Sequence, residues 1–117
     1  IYDPLGWLAP LVFIAKDLIQ QTWKTGLDWD DPLSNDLEIK WERFHQTLPV
    51  LAQLNIPRHI PLVDADLSVQ ILGFCDASEQ GYAATIYLRT ESPQCINMYL
   101  IIAKSRLAPL KTVSVPR

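Results

Sequence analysis

The chain has 117 residues, 49% of them hydrophobic and 20% charged, with a formal net charge of -3. This is enough apolar material for one small core, and it excludes both a disordered polymer and a pair of large independent domains. The acidic balance excludes a simple basic nucleic-acid-binding module but leaves room for a metal-dependent nuclease, in which divalent ions supply the charge that meets phosphate.

The chain opens with Tyr2-Asp3-Pro4-Leu5-Gly6, a turn that leads into a helix, and Pro10 sits in the first helical turn, where a missing N–H costs least. Leu11, Ile14, Ala15, Leu18, Ile19, Thr22 and Trp23 then recur at helical spacing, and Gly26 stands just past the end as a stop. The apolar stripe is wide, so this helix is expected to bury against something larger than a single partner helix, with Trp7 and Trp23 packed into the core. The stretch from Leu5 to Ile19 is broken by Pro10, Lys16 and Asp17, which makes it unsuited to crossing a bilayer. No membrane partner is expected, and no charged leader with a cleavage pattern points to export.

Leu27 to Pro32 is a linker dense in acids, but it lacks the glycine and terminal glutamate of a calcium loop. Capping is the simpler role for these residues, with Asp31-Pro32 or Ser34 ahead of a second helix that carries Leu37, Trp41, Phe44 and Leu48 on one face. His45 borders that face and reads as structural. Pro49 kinks or restarts the helix, and Val50 to Leu54 add a turn or two. Two prolines in Ile56-Pro57-Arg58-His59-Ile60-Pro61 then mark a boundary.

Three strand-like runs follow, Leu67 to Asp76, Gly81 to Arg89 and Ile96 to Lys104, joined by links short enough to imply an antiparallel meander. The expected fold class is α+β. In the first run, Val69, Ile71, Gly73 and Cys75 alternate with Leu72 and Phe74, the pattern of a strand buried on both faces. Cys75 and Cys95 fit neither a zinc quartet nor a disulfide framework with His45 and His59, so buried free thiols are expected. The first run ends on Asp76-Ala77-Ser78. Either Asp76 and Ser78 serve the turn, as such residues often do, or Asp76 is a metal ligand whose small neighbours leave room for a substrate backbone. Charge is distributed unevenly. Asp28, Asp30, Asp31, Asp36, Glu38 and Glu42 make the first half acidic, whereas Ser92 to Arg117 holds no acid and carries Lys104, Arg106, Lys111 and Arg117.

Tyr2-Asp3-Pro4-Leu5-Gly6 with Leu8-Ala9-Pro10, Gly26-Leu27-Asp28-Trp29-Asp30-Asp31, Ile56-Pro57-Arg58, Gly73-Phe74-Cys75-Asp76-Ala77-Ser78, Gly81-Tyr82-Ala83-Ala84 and Ala103 to Lys111 occur in that order. Together they resemble the Pol polyprotein of Pao/BEL-type retrotransposons over essentially the whole chain. The resemblance implies a helical thumb or connection segment of the reverse transcriptase at residues 1–60, and the start of a ribonuclease H-like domain at 61–117. In that fold the first three strands form an antiparallel meander and strand one is central in a five-stranded sheet.

The resemblance further implies that Asp76 is the first catalytic and metal-ligating carboxylate, serving Mg²⁺ in the intact parent domain. Ser78 would lie near the RNA of an RNA–DNA hybrid, and Lys104 and Arg106 would meet phosphate. The family's other carboxylates fall beyond Arg117, so the fragment is expected to be inactive alone and to pair with the remainder of the Pol polyprotein. Loss of strands four and five is expected to leave an unpaired edge on strand one and so to favour self-association. The implied location is intracellular, in a cytoplasmic virus-like particle. Two alternatives stand beside this reading. One is a domesticated or decayed interaction module. The other is an aspartic peptidase, a name also used for this family segment, although Asp76-Ala77-Ser78 lacks the glycine of an Asp-Ser-Gly loop and no second loop exists. Asp64, Asp66 and Glu79 lie near but off the family positions.

Overall fold

A computed structural model describes residues 1–62 and 67–110. Helix α1 (Ala9–Thr25) begins with Pro10 in its first turn and ends at Gly26, whose φ of 70° is the left-handed conformation that stops a helix and that glycine adopts without strain. Helix α2 (Asn35–Thr47) follows, and Pro49 sits near the start of a short 3-10 helix (Leu48–Gln53), where its fixed φ is tolerated. Residues 54–62 carry no regular element, as the prolines there require. Strands β1 (Ser68–Ala77), β2 (Gly81–Glu91) and β3 (Ile96–Leu107) form one antiparallel meander in the order β1-β2-β3, with an irregularity beside Ile86 and Tyr87. The fold is α+β, and among the described residues no helix is long and apolar enough to cross a membrane.

The helices attach to the sheet at one edge. The backbone N–H of Ala103 donates to the carbonyl of Leu5 at 2.8 Å, and the Trp7 indole N–H donates to the carbonyl of Ile101 at 3.1 Å. Further along, the Ser105 hydroxyl donates to the Ala9 carbonyl at 3.3 Å, and the Gln20 amide donates to the Ala108 carbonyl at 2.9 Å. The N-terminal segment and α1 therefore run alongside β3, close its outer edge, and satisfy polar groups that an edge strand would otherwise leave open. Helix α2 packs on α1, burying Leu37 and Phe44. The molecule is consequently flat, 60 × 43 × 18 Å.

Asp3 sets the start of this arrangement. Its two carboxylate oxygens accept the N–H groups of Trp7 (2.9 Å) and Leu8 (2.8 Å), donors just ahead of α1 that have no other backbone partner. An Asp3→Ala variant is expected to lose about 1–2 kcal/mol, the usual worth of such a cap, as a lower urea midpoint with an unchanged slope. Ahead of α2, Ser34 occupies the N-cap position but makes no capping side-chain bond. The Asp31 carboxylate instead accepts the Asp28 N–H, so it orders the linker.

Burial differs from what the sequence pattern suggests. Strand β1 is not buried on both faces, because only Leu72 is even half-buried while Ile71 and Phe74 are 75% and 57% exposed. The order β1-β2-β3 makes β1 an edge strand and β2 the middle one, and the helices dock at the far edge, so nothing described lies over β1. The same geometry exposes Cys75, and the β2–β3 turn exposes Cys95, so both thiols are free but not buried. Trp7 is half-buried, whereas Trp23 is 65% exposed, along with Ile14 and Ile19, because α1 has a strand edge and one helix to pack on rather than a sheet face. Asp64, Asp66, Lys111 and Arg117, and the extended segment Val113 to Pro116, lie outside the described residues.

Candidate functional site

Asp76 is the penultimate residue of β1. Directly opposed residues in antiparallel strands point to the same face. The register pairs Asp76 with Ala83 and Ala83 with Ser105, which puts one small side chain beside the carboxylate and a second in the next strand along the same row. An open cavity of about 470 Å³ results, with Asp76 and Ser78 at one side and Trp7 and Phe13 at the other. Close packing at Gly81 brings the parts together, since a Cβ there would overlap both the Arg106 carbonyl and the Phe13 ring. The small residues around Asp76 thus hold the cavity open, and the aromatic wall comes from the N-terminal segment and α1.

Within the cavity, one oxygen of Asp76 accepts the N–H of Ala77 at 2.8 Å, which fixes the carboxylate at the strand end and leaves its second oxygen without a hydrogen-bond partner among the described residues. Ser78 is committed to the β1–β2 turn. Its hydroxyl accepts the Gln80 N–H at 3.2 Å and donates to the Gly81 carbonyl at 3.3 Å, while its own N–H donates to the same carbonyl at 2.8 Å. The turn role therefore accounts for the Ser78 side chain, while one Asp76 oxygen keeps no hydrogen-bond partner among the described residues.

Lys104 and Arg106 do not join Asp76. Lys104 pairs with Ala84, and Ala84 with Cys75, while Arg106 pairs with Tyr82, and Tyr82 with Ala77. This register directs both cations to the face opposite Asp76. Lys104 borders the Asp76 cavity at its strand position, but its side chain belongs to the other side of the sheet. There Lys104 and Arg106 border one recess with Lys16 of α1, a residue that in the sequence stands out only as a break in an apolar run. That break was the available signal, because a cation inside an amphipathic helix marks where its buried stripe ends.

The described residues do not by themselves fit the two-ion centre that the resemblance implies. Among the described residues, Asp76 is the only carboxylate lining the cavity, and no three His, Cys, Asp or Glu side chains come together as metal ligands. A hard divalent ion takes about six oxygen ligands, far more than one carboxylate provides.

A family model described as Pao retrotransposon-like RNaseH-like domain matches residues 1–117, and the chain belongs to that family. Searches of curated proteins and of solved structures return no match.

Proposed function

We propose that this member of the Pao retrotransposon-like RNaseH-like family supplies the first carboxylate of a ribonuclease H centre that cuts the RNA strand of RNA–DNA hybrids. The observation that carries the reading is Asp76 itself, held at a strand end in an open cavity, with one oxygen fixed by the Ala77 N–H and the other free. Mg²⁺ is the ion proposed for the intact parent domain, with the remaining carboxylates contributed from outside this chain. The 117-residue chain alone is accordingly proposed to be inactive as a nuclease. Residues 1–60 act as the connection from a reverse transcriptase and 61–117 as the beginning of the nuclease. The remainder of the Pol polyprotein is the structural partner, within a cytoplasmic particle.

What these residues do on their own is position and admit. Ala83 and Ser105 leave space for a substrate backbone beside the carboxylate, and Ser78 fixes the turn that limits the cavity at that end. The test uses the polyprotein that carries the chain, incubated with a labelled RNA–DNA hybrid. The expected result is loss of the RNA strand that requires Mg²⁺, stops with EDTA, and does not occur on an all-DNA duplex. Cleavage indifferent to EDTA, or none at all, overturns the reading.

A further inference from the structure

We propose that the flank formed by α1 and the end of β3 is a second nucleic-acid surface, one that holds a single strand. It rests on the ribonuclease H reading only in taking nucleic acid as the partner, and it is built from different residues. Lys16, Lys104 and Arg106 border one recess of about 260 Å³. Lys16 and Arg106 also border an adjoining recess of about 390 Å³, whose wall includes Trp23. The two recesses share their cations and so form one groove along the helix–strand junction.

Three features make this groove a site for a polyanion. First, cations outnumber acids in its lining, three to one, and none of the three is in an ion pair among the described residues. The ion pairs among the described residues are Lys40–Asp36 and Arg89–Glu91, and neither involves the groove. Second, the one acid in its lining among the described residues, Asp3, has both oxygens occupied by the N–H groups of Trp7 and Leu8. Third, Lys104 and Arg106 are two residues apart on one strand face, about 7 Å, so they present charges in a row rather than at a point.

Trp23 specifies a single strand rather than a duplex. Its side chain is 65% exposed beside the cations. An exposed indole flanking a cationic groove is the arrangement on which an unpaired base stacks while the groove follows the phosphates. A duplex keeps its bases within the stack and has none to offer. Because Lys104 and Arg106 point away from the Asp76 face, a strand in this groove and a hybrid at the cavity occupy opposite sides of the sheet.

The experiment measures fluorescence anisotropy of a labelled single-stranded oligonucleotide, and of a hybrid of the same sequence, with the 117-residue chain over a range of salt. A Lys16→Gln/Arg106→Gln double variant is expected to bind the single strand about tenfold more weakly and to lower the salt slope by about 1.4, the release expected from two phosphate contacts. Trp23→Ala is expected to lose about fivefold or more, from one stacked base. A Lys40→Gln/Arg43→Gln variant removes the same charge from α2 and is expected to change little; circular dichroism and urea midpoints confirm that each variant folds.

Equal losses in the two double variants, or no loss with Trp23→Ala, overturn the groove. Failure here is separable from failure of the nuclease reading. Hybrid cleavage by the polyprotein without Lys16-dependent single-strand binding overturns the groove alone. Lys16- and Trp23-dependent single-strand binding by the chain supports the groove even if the polyprotein fails to cleave.

Discussion

An Asp76→Asn variant of the polyprotein that carries this chain is expected to lose about 10²-fold or more in the rate of hybrid cleavage, with hybrid binding largely retained. Removing a group that merely orients a metal ligand already costs about 10–100-fold, so loss of a ligand charge belongs at or beyond the top of that range. Asn keeps the shape of Asp, and its carbonyl oxygen can still accept the Ala77 N–H, so the strand end keeps its geometry. What disappears is the second oxygen together with the carboxylate's charge: an NH2 group stands in its place, a hydrogen-bond donor that is no ligand for a hard divalent ion. Asp76 is exposed, and therefore the stability of the chain should change by no more than about 0.5 kcal/mol.

A single-turnover cleavage assay, with a urea titration as control, separates these effects. Glu79→Gln is the matched comparison, since that acid lies in the adjoining turn but does not line the cavity, and its cleavage rate should match the parent. An Asp76→Asn protein that cleaves at the parental rate would remove the carboxylate from the mechanism. If Asp76→Asn instead abolished a pepstatin-sensitive processing of the polyprotein while hybrid cleavage persisted, the peptidase alternative would take its place.

The local signals in the sequence and the tertiary facts were legible to different degrees, for physical reasons. Pro10, Gly26, Pro49 and the short links between strands constrain the backbone by their own covalent structure, and the elements begin and end where those residues require. The alternation of β1 shows that both of its faces are apolar, which was readable, but not that anything covers them. Cover depends on where the helices dock, and docking is decided by contacts between residues nearly a hundred positions apart, such as Trp7 with Ile101 and Ser105 with Ala9. The same applies to Trp23 and the two cysteines, whose usual burial yields to a sheet with open faces. Asp76 stood out because an acid ends an apolar strand. Separating it from Lys104 and Arg106 needed the register, because a shift of one residue exchanges the two faces of a strand.

Gly6→Ala is expected to destabilise the chain by about 2–5 kcal/mol, from two costs that add at one atom. Gly6 is buried with φ 71°, and the left-handed conformation costs a residue with a Cβ about 1–2 kcal/mol. The new Cβ would also overlap the carbonyl oxygen of Ala103, a backbone atom that no rotamer change can move aside. Relief requires the N-terminal segment to lift off β3, but the Ala103 N–H is bonded to the Leu5 carbonyl one residue away, and Trp7 and Ala9 are bonded to Ile101 and Ser105 on either side. The overlap therefore costs about 1–3 kcal/mol as overpacking, or else those bonds are lost with it. Gly26→Ala isolates the conformational part. Gly26 has nearly the same φ, 70°, and no atom lies within 4 Å of the point a Cβ would occupy, so only the first cost applies. Urea titration should place Gly26→Ala about 1–2 kcal/mol below the parent and Gly6→Ala clearly lower. Hydrogen exchange locates the difference. In Gly6→Ala the Ala103 amide, which donates to Leu5, should lose protection ahead of the amides that join β1 to β2. Equal destabilisation by the two variants would mean that the closure of the β3 edge by residues 5–9 contributes nothing beyond the turn itself.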